Sequence, residues 1–370
     1  MMRPRGLLGA AATIALSLCS CCALSTSSAK MPSQVQNNYS MGAQELRRAV
    51  LDASAADVGS DSSLDLNGIA WLEHINLVVS SREISEKFYM DFLGFAKDKS
   101  PSFHVNLGQQ QLHLAENGDP AQVVTGSIGL AVPSLSTIRE RIQNTRNTGA
   151  LFEGTQYAVL DDNTAENCIT MSCPDGNILH LYGVDNDKTD GSALNSPQKM
   201  TNLHADGGLY GPRMAVRGSP GIRYIEIACR VGTAGRIAQF YKQMLECDVH
   251  DGTEGQCVVT VGPGVHLVYT ENENLTDTAI KAMEGVHICI YVDNFKKLYD
   301  RLKERQLIWT NPRFTRLDSC DTWEEAHASR TLRFKDIVDL ETGEKLLELE
   351  HETRPLRHGQ YLKVPYYVPR

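Results

Sequence analysis

The sequence predicts an α+β protein in which four copies of one strand–helix–strands unit form two domains. Alternating, β-branched segments of strand character recur ahead of amphipathic helices, and further short strands follow each helix. This order restarts four times, in two stretches separated by a segment rich in Asp, Asn, Gly and Ser. The 370 residues also exceed what one hydrophobic core usually supports, which favours two domains.

The first stretch contains two units. Residues 72–79 alternate as a strand, with Ile75, Leu77 and Val79 on one face. Residues 81–93 carry apolar side chains at helical spacing, and Gly94 ends that helix. Short strands follow around 103–107 and 110–115. The order restarts at 126–132, and its later strands are predicted near 158–160, 168–173 and 177–182.

The second stretch repeats this order. Residues 223–231 form the predicted strand, and the helix over 237–245 carries Phe240-Tyr241 where the first helix carries Phe88-Tyr89. The remaining predicted strands of these two units lie at 258–261, 265–270, 285–292, 331–340 and 346–350. Four units of one order are unlike a chance pattern and indicate an internal repeat.

The segments outside the units have distinct compositions. Arg3 and Arg5 precede an uncharged apolar stretch, so residues 1–24 are predicted to be a signal-like leader for the secretory pathway or a plastid-like organelle. Residues 25–66 are expected to be a disordered or transit segment. The predicted domains are 67–184 and 220–352, joined by a linker over 185–219 and followed by a tail over 353–370.

Charge and hydropathy exclude several partners. The formal net charge is −9 and no basic stripe is present, so we expect no binding to nucleic acid. After the leader, no apolar run approaches the roughly 18 residues that span a bilayer, so no integral membrane domain is expected. A small-molecule substrate is the expected partner, and a homodimer is left open.

Two motifs carry a resemblance to a known family. They are His-x-x-Leu-x-Val followed by Phe-Tyr-x-x-x-Leu-Gly-Phe, from His74 to Phe95, and Pro-Asp-Gly-Asn from Pro174 to Asn177. In these residues the chain resembles the vicinal-oxygen-chelate superfamily of glyoxalase I, bleomycin-resistance proteins and extradiol dioxygenases, over about 70–184 and 221–352. The resemblance implies that two βαβββ units form each U-shaped open mixed sheet around a divalent metal. The metal is expected to be Zn, Ni, Fe or Mn.

The resemblance also implies which residues hold the metal, since its ligands come from the first and last strands of each unit. In the first domain these positions carry His74, His113 and His180, with Ser127 where a further ligand is expected. Alternation supports the three histidines, because their apolar neighbours take the opposite, core face. The alternative is that histidines on strands are ordinary hydrogen-bonded side chains.

The second domain is expected to hold the active site, because it alone keeps a carboxylate. His266, His287 and Glu348 take three ligand positions there, and Tyr224 replaces the first-strand histidine. Glu226, two residues later on the same face, is a possible substitute. Glu348 is expected to act both as a metal ligand and as the catalytic base.

Three functions are compatible with these residues. The first is a metal-dependent, glyoxalase-like lyase or isomerase that acts on a small carbonyl compound through a metal-stabilised enediolate. The second is a metal-free protein that binds or sequesters a ligand, which Ser127 and Tyr224 favour because each interrupts a ligand set. The third is an iron-dependent, extradiol-type dioxygenase, which needs two histidines and one carboxylate on an open face.

Overall fold

The computed structural model describes residues 40–58, 68–98, 102–108, 110–132, 134–148, 151–164, 167–183, 221–262, 264–315 and 318–362. The predicted leader over 1–24 and the predicted linker over 185–219 lie outside these residues. In the described part of the chain, no helix is long and apolar enough to cross a membrane.

The described residues contain seven α-helices and fifteen strands. The helices are α1 (Ala43–Val58), α2 (Arg82–Glu86), α3 (Leu135–Thr148), α4 (Ala234–Phe240), α5 (Asp277–Ala282), α6 (Phe295–Glu304) and α7 (Trp323–Ser329). The strands are β1 (Ile69–Val78), β2 (Ala96–Lys97), β3 (His104–Asn106), β4 (Gln111–Ala115), β5 (Ser127–Val132), β6 (Ala158–Asn163), β7 (Cys168–Ser172), β8 (Ile178–Gly183), β9 (Gly221–Cys229), β10 (Val249–Asp251), β11 (Gln256–Thr260), β12 (His266–Glu271), β13 (His287–Val292), β14 (Leu332–Val338) and β15 (Lys345–Pro355).

The strands form two mixed sheets. Sheet A has seven strands in the order β14-β15-β13-β1-β4-β3-β2, and sheet B has eight in the order β10-β11-β12-β9-β5-β8-β7-β6. In each sheet the first strands of two units run antiparallel at the centre, and each pairs in parallel with the last strand of its own unit. The predicted α+β fold, with two repeated units in each open mixed sheet, is confirmed; the fourth unit has two described strands after its helices where three were expected.

The units pair differently from the expectation. Strand β1 of the first unit pairs with β13 of the fourth, and β5 of the second pairs with β9 of the third. The expectation that 67–184 and 220–352 each supply one complete sheet is therefore wrong. All four first strands carry the same apolar alternation, so the pattern of one strand does not specify its partner.

The main apolar core lies on one face of each sheet, and helix α1 packs on the opposite, cleft face of sheet B. Helix α2 continues into a π-helical turn over Lys87–Phe92, and α4 continues into a matching turn over Tyr241–Leu245. Phe88 and Phe240 are fully buried at these turns, as their spacing predicts. Phe88 packs on Phe92 and Phe152, and Phe240 packs on Phe334 of sheet A.

The segment 25–66, expected to be disordered, contains helix α1, so that expectation is wrong for residues 43–58. Leu46, Ala49, Val50 and Ala53 are buried and lie at the spacing of one helical face. They pack on side chains of sheet B, and this tertiary burial stabilises a helix of weak amphipathic pattern. At the other end of the chain, Tyr361 and Leu362 of the tail pack on Trp71 and Tyr291.

Candidate metal site

The strand registers define one pair of equivalent positions in every unit. The first position is a residue of the unit's first strand. The second position is the residue of the unit's last strand that pairs with the first-strand residue two places after the first position. The four pairs are His74 and His113, Ser127 and His180, Glu226 and Thr270, and His287 and Glu352. Glu226 precedes Phe240 by the same 14 residues as His74 precedes Phe88, so Glu226 holds the position that the sequence had suggested for Tyr224.

In sheet A, three of these positions bring metal-type ligand atoms together. Nε2 of His74 lies 3.9 Å from Oε2 of Glu352, and Nε2 of His287 lies 3.8 Å from the same oxygen. The three side chains are buried, and their ligand atoms all lie within 4.8 Å of one another. His74 Nε2 has no hydrogen-bond partner, which is unusual for a buried nitrogen and is what a ligand position would leave.

The fourth position of sheet A holds His113. Its ring stacks on the ring of His74 at 3.6 Å and, on its other side, on the ring of His104 at 3.6 Å. One of its nitrogens, Nε2, is hydrogen-bonded to Oε1 of Gln111 at 2.9 Å. His113 therefore contacts the three-residue cluster through its ring face.

Burial keeps two of these imidazoles neutral. It lowers the pKa of His287 well below the usual range, although the carboxylate of Glu352 opposes the shift. Burial also lowers the pKa of His113 strongly, and the neighbouring His74 adds to that shift. A neutral imidazole keeps a lone pair available, which is the form that a metal ion requires.

Glu352 is held by two arginines. Although burial opposes its ionisation, the guanidinium groups of Arg354 and Arg333 hold the pKa of this carboxyl well below its usual range. Arg333 Nη2 lies 2.8 Å from Oε2 of Glu352, and Arg354 forms an ion pair with the other oxygen. The carboxylate is therefore charged and fixed in orientation beside both histidines.

The ion-pair network around Glu352 has more negative than positive groups. Arg333 also binds Glu350 and Asp318, each at 2.6 Å, and Arg354 binds Glu73 at 3.0 Å. Counted as ionised, the four carboxylates that these two guanidinium groups bind leave an excess of two negative charges. A divalent cation at the cluster would balance that excess, so the residues fit a metal ion in charge as well as in ligand type.

One loop and a side chain of β13 lie against the cluster. Phe314 stands edge-on to His287 at 6.0 Å and covers the guanidinium of Arg333 at 4.5 Å. Asn311 donates through Nδ2 to the carboxylate of Glu350 at 2.9 Å. The hydroxyl of Tyr291, on β13, donates to Glu73 at 2.6 Å. These contacts shield the cluster from bulk water.

Glu348, the expected ligand and base, lies away from the cluster. Its carboxylate pairs with Lys335 at 3.3 Å and with Lys345, and it is opposite Asp336 on the edge strand β14. Residues 346–352 place glutamates at alternate positions, and only the pairing of β15 with β13 shows that Glu352 takes the ligand position. The predicted catalytic and metal-binding role of Glu348 is not supported by this geometry.

The other predicted ligands lie in sheet B. His180 lies on β8 of sheet B, whereas His74 and His113 lie in sheet A. The prediction that the three histidines converge is therefore wrong for His180. His266 lies on β12 opposite Tyr224, in the sheet that does not contain His287. The exchange of unit partners separates both predicted groups.

The four equivalent positions of sheet B form a hydrogen-bonded cluster. Ser127 Oγ donates to Glu226 at 2.8 Å, and His180 Nδ1 is hydrogen-bonded to the hydroxyl of Tyr224 at 2.8 Å. Burial raises the pKa of Glu226 to about 7 and lowers the pKa of His180 to about 4. One imidazole and one partly protonated carboxyl form a poor metal set, and the metal-type clusters of the described residues both lie in sheet A.

Sequence reasoning missed Glu352, Glu73 and the arginines Arg333 and Arg354. Glu352 had a signal, since it continues the alternation of Glu348 and Glu350 onto the same face. The arginines had none, because their partners are distant in sequence.

No protein-family model matches the chain, and no curated protein matches it significantly in sequence. Among solved structures, the chain is similar to glyoxalase I from Zea mays, with 13% identity, a TM-score of 0.45, and coverage of 76% of this chain and 92% of that one. It is also similar to a mutant of 4-hydroxymandelate synthase from Streptomyces coelicolor, with 15% identity, a TM-score of 0.26, and coverage of 77% and 93%.

The sheet topology, with paired units and equivalent positions on their first and last strands, agrees with the fold that the sequence resemblance implies. One chain carries two such sheets, and only sheet A keeps a set of metal-type ligands among the described residues.

Proposed function

We propose that the protein is a metal-dependent enzyme that acts on a small molecule at sheet A, with His74, His287 and Glu352 as the metal ligands. The observation that carries the proposal is the convergence of three buried ligand atoms, from three strands, at equivalent positions of two units. Two imidazoles and one carboxylate suit Fe, Zn, Ni or Mn rather than Mg or Ca.

The residues around the ligands have separable tasks. Arg333 and Arg354 keep Glu352 ionised and fix its orientation. The half-buried side chain of Phe314 restricts the access of water to His287. A divalent metal bound there would supply Lewis-acid stabilisation of charge on neighbouring substrate oxygens.

The ligand set favours oxygen chemistry on iron. His74, His287 and Glu352 would hold iron through two histidines and one carboxylate, a ligand set that suits iron chemistry with O₂. Glu352 is also a poor proton acceptor while two guanidinium groups lower its pKa, which disfavours the base role that Glu348 was expected to fill. Opening of a ring with adjacent hydroxyl groups by O₂ places both oxygen atoms in the product and needs no other reductant.

His113 supports a second candidate, the glyoxalase-like lyase or isomerase. It holds the fourth equivalent position, and its ring lies 3.6 Å from that of His74, so a rotation of the imidazole would complete a four-residue set. In that case Glu352 takes the place expected of Glu348, and the substrate is a small carbonyl compound. The metal-free alternative applies to sheet B.

The experiment compares two reconstitutions of the same protein. Protein loaded anaerobically with Fe²⁺ is mixed with a panel of catechols, and O₂ uptake is recorded with an electrode. Protein loaded with Zn²⁺, Ni²⁺ or Mn²⁺ is mixed with 2-oxoaldehydes, with and without a thiol. We expect turnover in the first arm, its loss in Glu352→Gln, and its retention in Glu348→Gln. Turnover in the second arm alone would replace the oxygenase proposal by the glyoxalase-like one.

Absence of turnover in both arms, together with absence of bound metal, would contradict the enzyme proposal.

A further inference from the structure

The segment Ser40–Val58 lies in the cleft of sheet B. The face that it covers is equivalent to the face of sheet A that carries the metal-ligand positions. The backbone N–H of Met41 donates to Oε1 of Glu226 at 2.9 Å. The sulfur of Met41 lies 3.5 Å from the hydroxyl of Thr270. Met41 therefore contacts two of the four equivalent positions of sheet B, in the place where a ligand would be expected.

Two backbone groups anchor the start of the segment. Besides the N–H of Met41, the carbonyl oxygen of Ala43 accepts a hydrogen bond from the hydroxyl of Tyr182 at 3.0 Å. That hydroxyl is itself bonded to Tyr224 at 2.8 Å, which continues to His180. The cleft thus offers an acceptor and a donor to the main chain of whatever lies in it, as peptide-binding sites do.

Helix α1 supplies an apolar face to the same cleft. Leu46 and Val50 are fully buried, with the small residues Ala49 and Ala53 beside them. This face packs on Tyr224, Val258 and Val268 of sheet B. The opposite side of the helix, with Arg48 and Asp52, is exposed. The arrangement is that of an amphipathic helix in an apolar groove.

The segment adds no strand to sheet B, whose eight strands pair with one another without it. It also leaves a cavity of about 520 Å³ on the side of β6–β8, lined by Asp161, Thr170 and His180. The sheet is therefore complete in its hydrogen bonding when the segment is left out, and the cleft is larger than its occupant.

We propose that the cleft of sheet B is a peptide-binding site whose occupant is this chain's own segment Ser40–Val58, held as a displaceable unit that the same peptide can replace in trans. The ligand that the site selects is an amphipathic helix preceded by a main-chain N–H for Glu226 and a carbonyl for Tyr182. The site is independent of the metal cluster in sheet A.

A pair of cysteine reporters tests whether the segment lifts as a unit. Val258 is fully buried beneath α1, and Val259, the next residue, is fully buried on the helix-covered core face. Full-length V258C and V259C variants are alkylated, and the labelled position is located by mass spectrometry. We expect V258C to react about tenfold or more faster than V259C, because lifting α1 exposes only the first site. Equal rates would overturn the proposal, since both sites would then open only in global unfolding.

A second pair of variants tests the contacts. Leu46→Asp places a charge on the buried face of α1, and Asp52→Asn is the matched control on its exposed face. We expect Leu46→Asp to accelerate labelling of V258C while V259C is unchanged, and Asp52→Asn to change neither. Met41→Pro, which removes the N–H donor to Glu226 and the sulfur contact with Thr270 but leaves the apolar face of α1 intact, should give a smaller acceleration.

Addition of the peptide completes the test. A synthetic peptide of residues 40–58 should restore protection of V258C in the Leu46→Asp protein, and the same peptide carrying Leu46→Asp should not. Metal bound at sheet A should be the same with and without the peptide. No acceleration in Leu46→Asp, acceleration of both reporters together, or failure of the peptide to protect would each overturn the proposal.

Discussion

Replacing Arg333 by Met should destabilise the metal-free protein strongly. Arg333 is 1% exposed and binds Glu350, Glu352 and Asp318 at 2.6 to 2.8 Å. Methionine keeps much of the apolar stem but leaves these carboxylates without their shared cation. Removing one partner of a buried ion pair costs about 3–5 kcal/mol, because a buried charge is left uncompensated. That is a large share of the 5–15 kcal/mol by which domains are usually stable.

The assay is urea unfolding in the presence of a chelator, followed by tryptophan fluorescence. Arg230→Met is the matched control, because Arg230 pairs with Asp277 on the surface, where the two side chains are 54% and 90% exposed. Exposed pairs contribute about 0–1 kcal/mol. The added negative excess in Arg333→Met should also make the protein respond more to a divalent metal than the parent does. A loss in Arg333→Met no larger than in Arg230→Met would refute the reasoning.

Three further outcomes follow from the structure. The pKa of Glu226 is about 7 in the folded protein and 4.5 in its ordinary state, so between these pH values the folded protein binds one more proton than the unfolded chain. The unfolding free energy should therefore fall by about 3 kcal/mol as the pH rises from 4.5 to 7. Urea titrations should show this fall in the parent protein and not in Glu226→Gln. Gly129→Ala should cost about 1–3 kcal/mol in the same assay, since the added Cβ would lie 2.4 Å from the ring of Tyr224, and an unchanged midpoint would contradict that packing. Glu348→Gln should change stability by less than about 1 kcal/mol and leave metal content unchanged, because Glu348 pairs only with lysines near the surface; loss of metal would restore it as a ligand.

The local elements could be predicted from the sequence because their signals are local. Alternation identified the faces of the strands that carry His74, His113 and His287, and all three histidines lie in sheet A. The matched Phe88 and Phe240 marked equivalent helices. These patterns depend on neighbours within about ten residues along the chain.

The composition of the site could not be predicted because it depends on contacts between distant units. His74 meets His287 only when the first unit pairs with the fourth, and four similar first strands do not specify that choice. The correct glutamate depends on the register of β15 against β13, since alternation is satisfied equally by Glu348 and Glu352. Helix α1 was missed because burial in the cleft, rather than its own pattern, stabilises it.

Metal content per chain tests the central claim most directly. Purified protein is equilibrated in turn with Fe²⁺, Zn²⁺, Ni²⁺ and Mn²⁺, passed through a desalting column and measured by elemental analysis. We predict about one ion per chain in the parent and in His180→Ala, and loss of the ion in His287→Ala, because two remaining ligands hold a divalent ion weakly. A parent protein that takes up none of these ions, or equal loss in His180→Ala and His287→Ala, would contradict a metal site built from His74, His287 and Glu352.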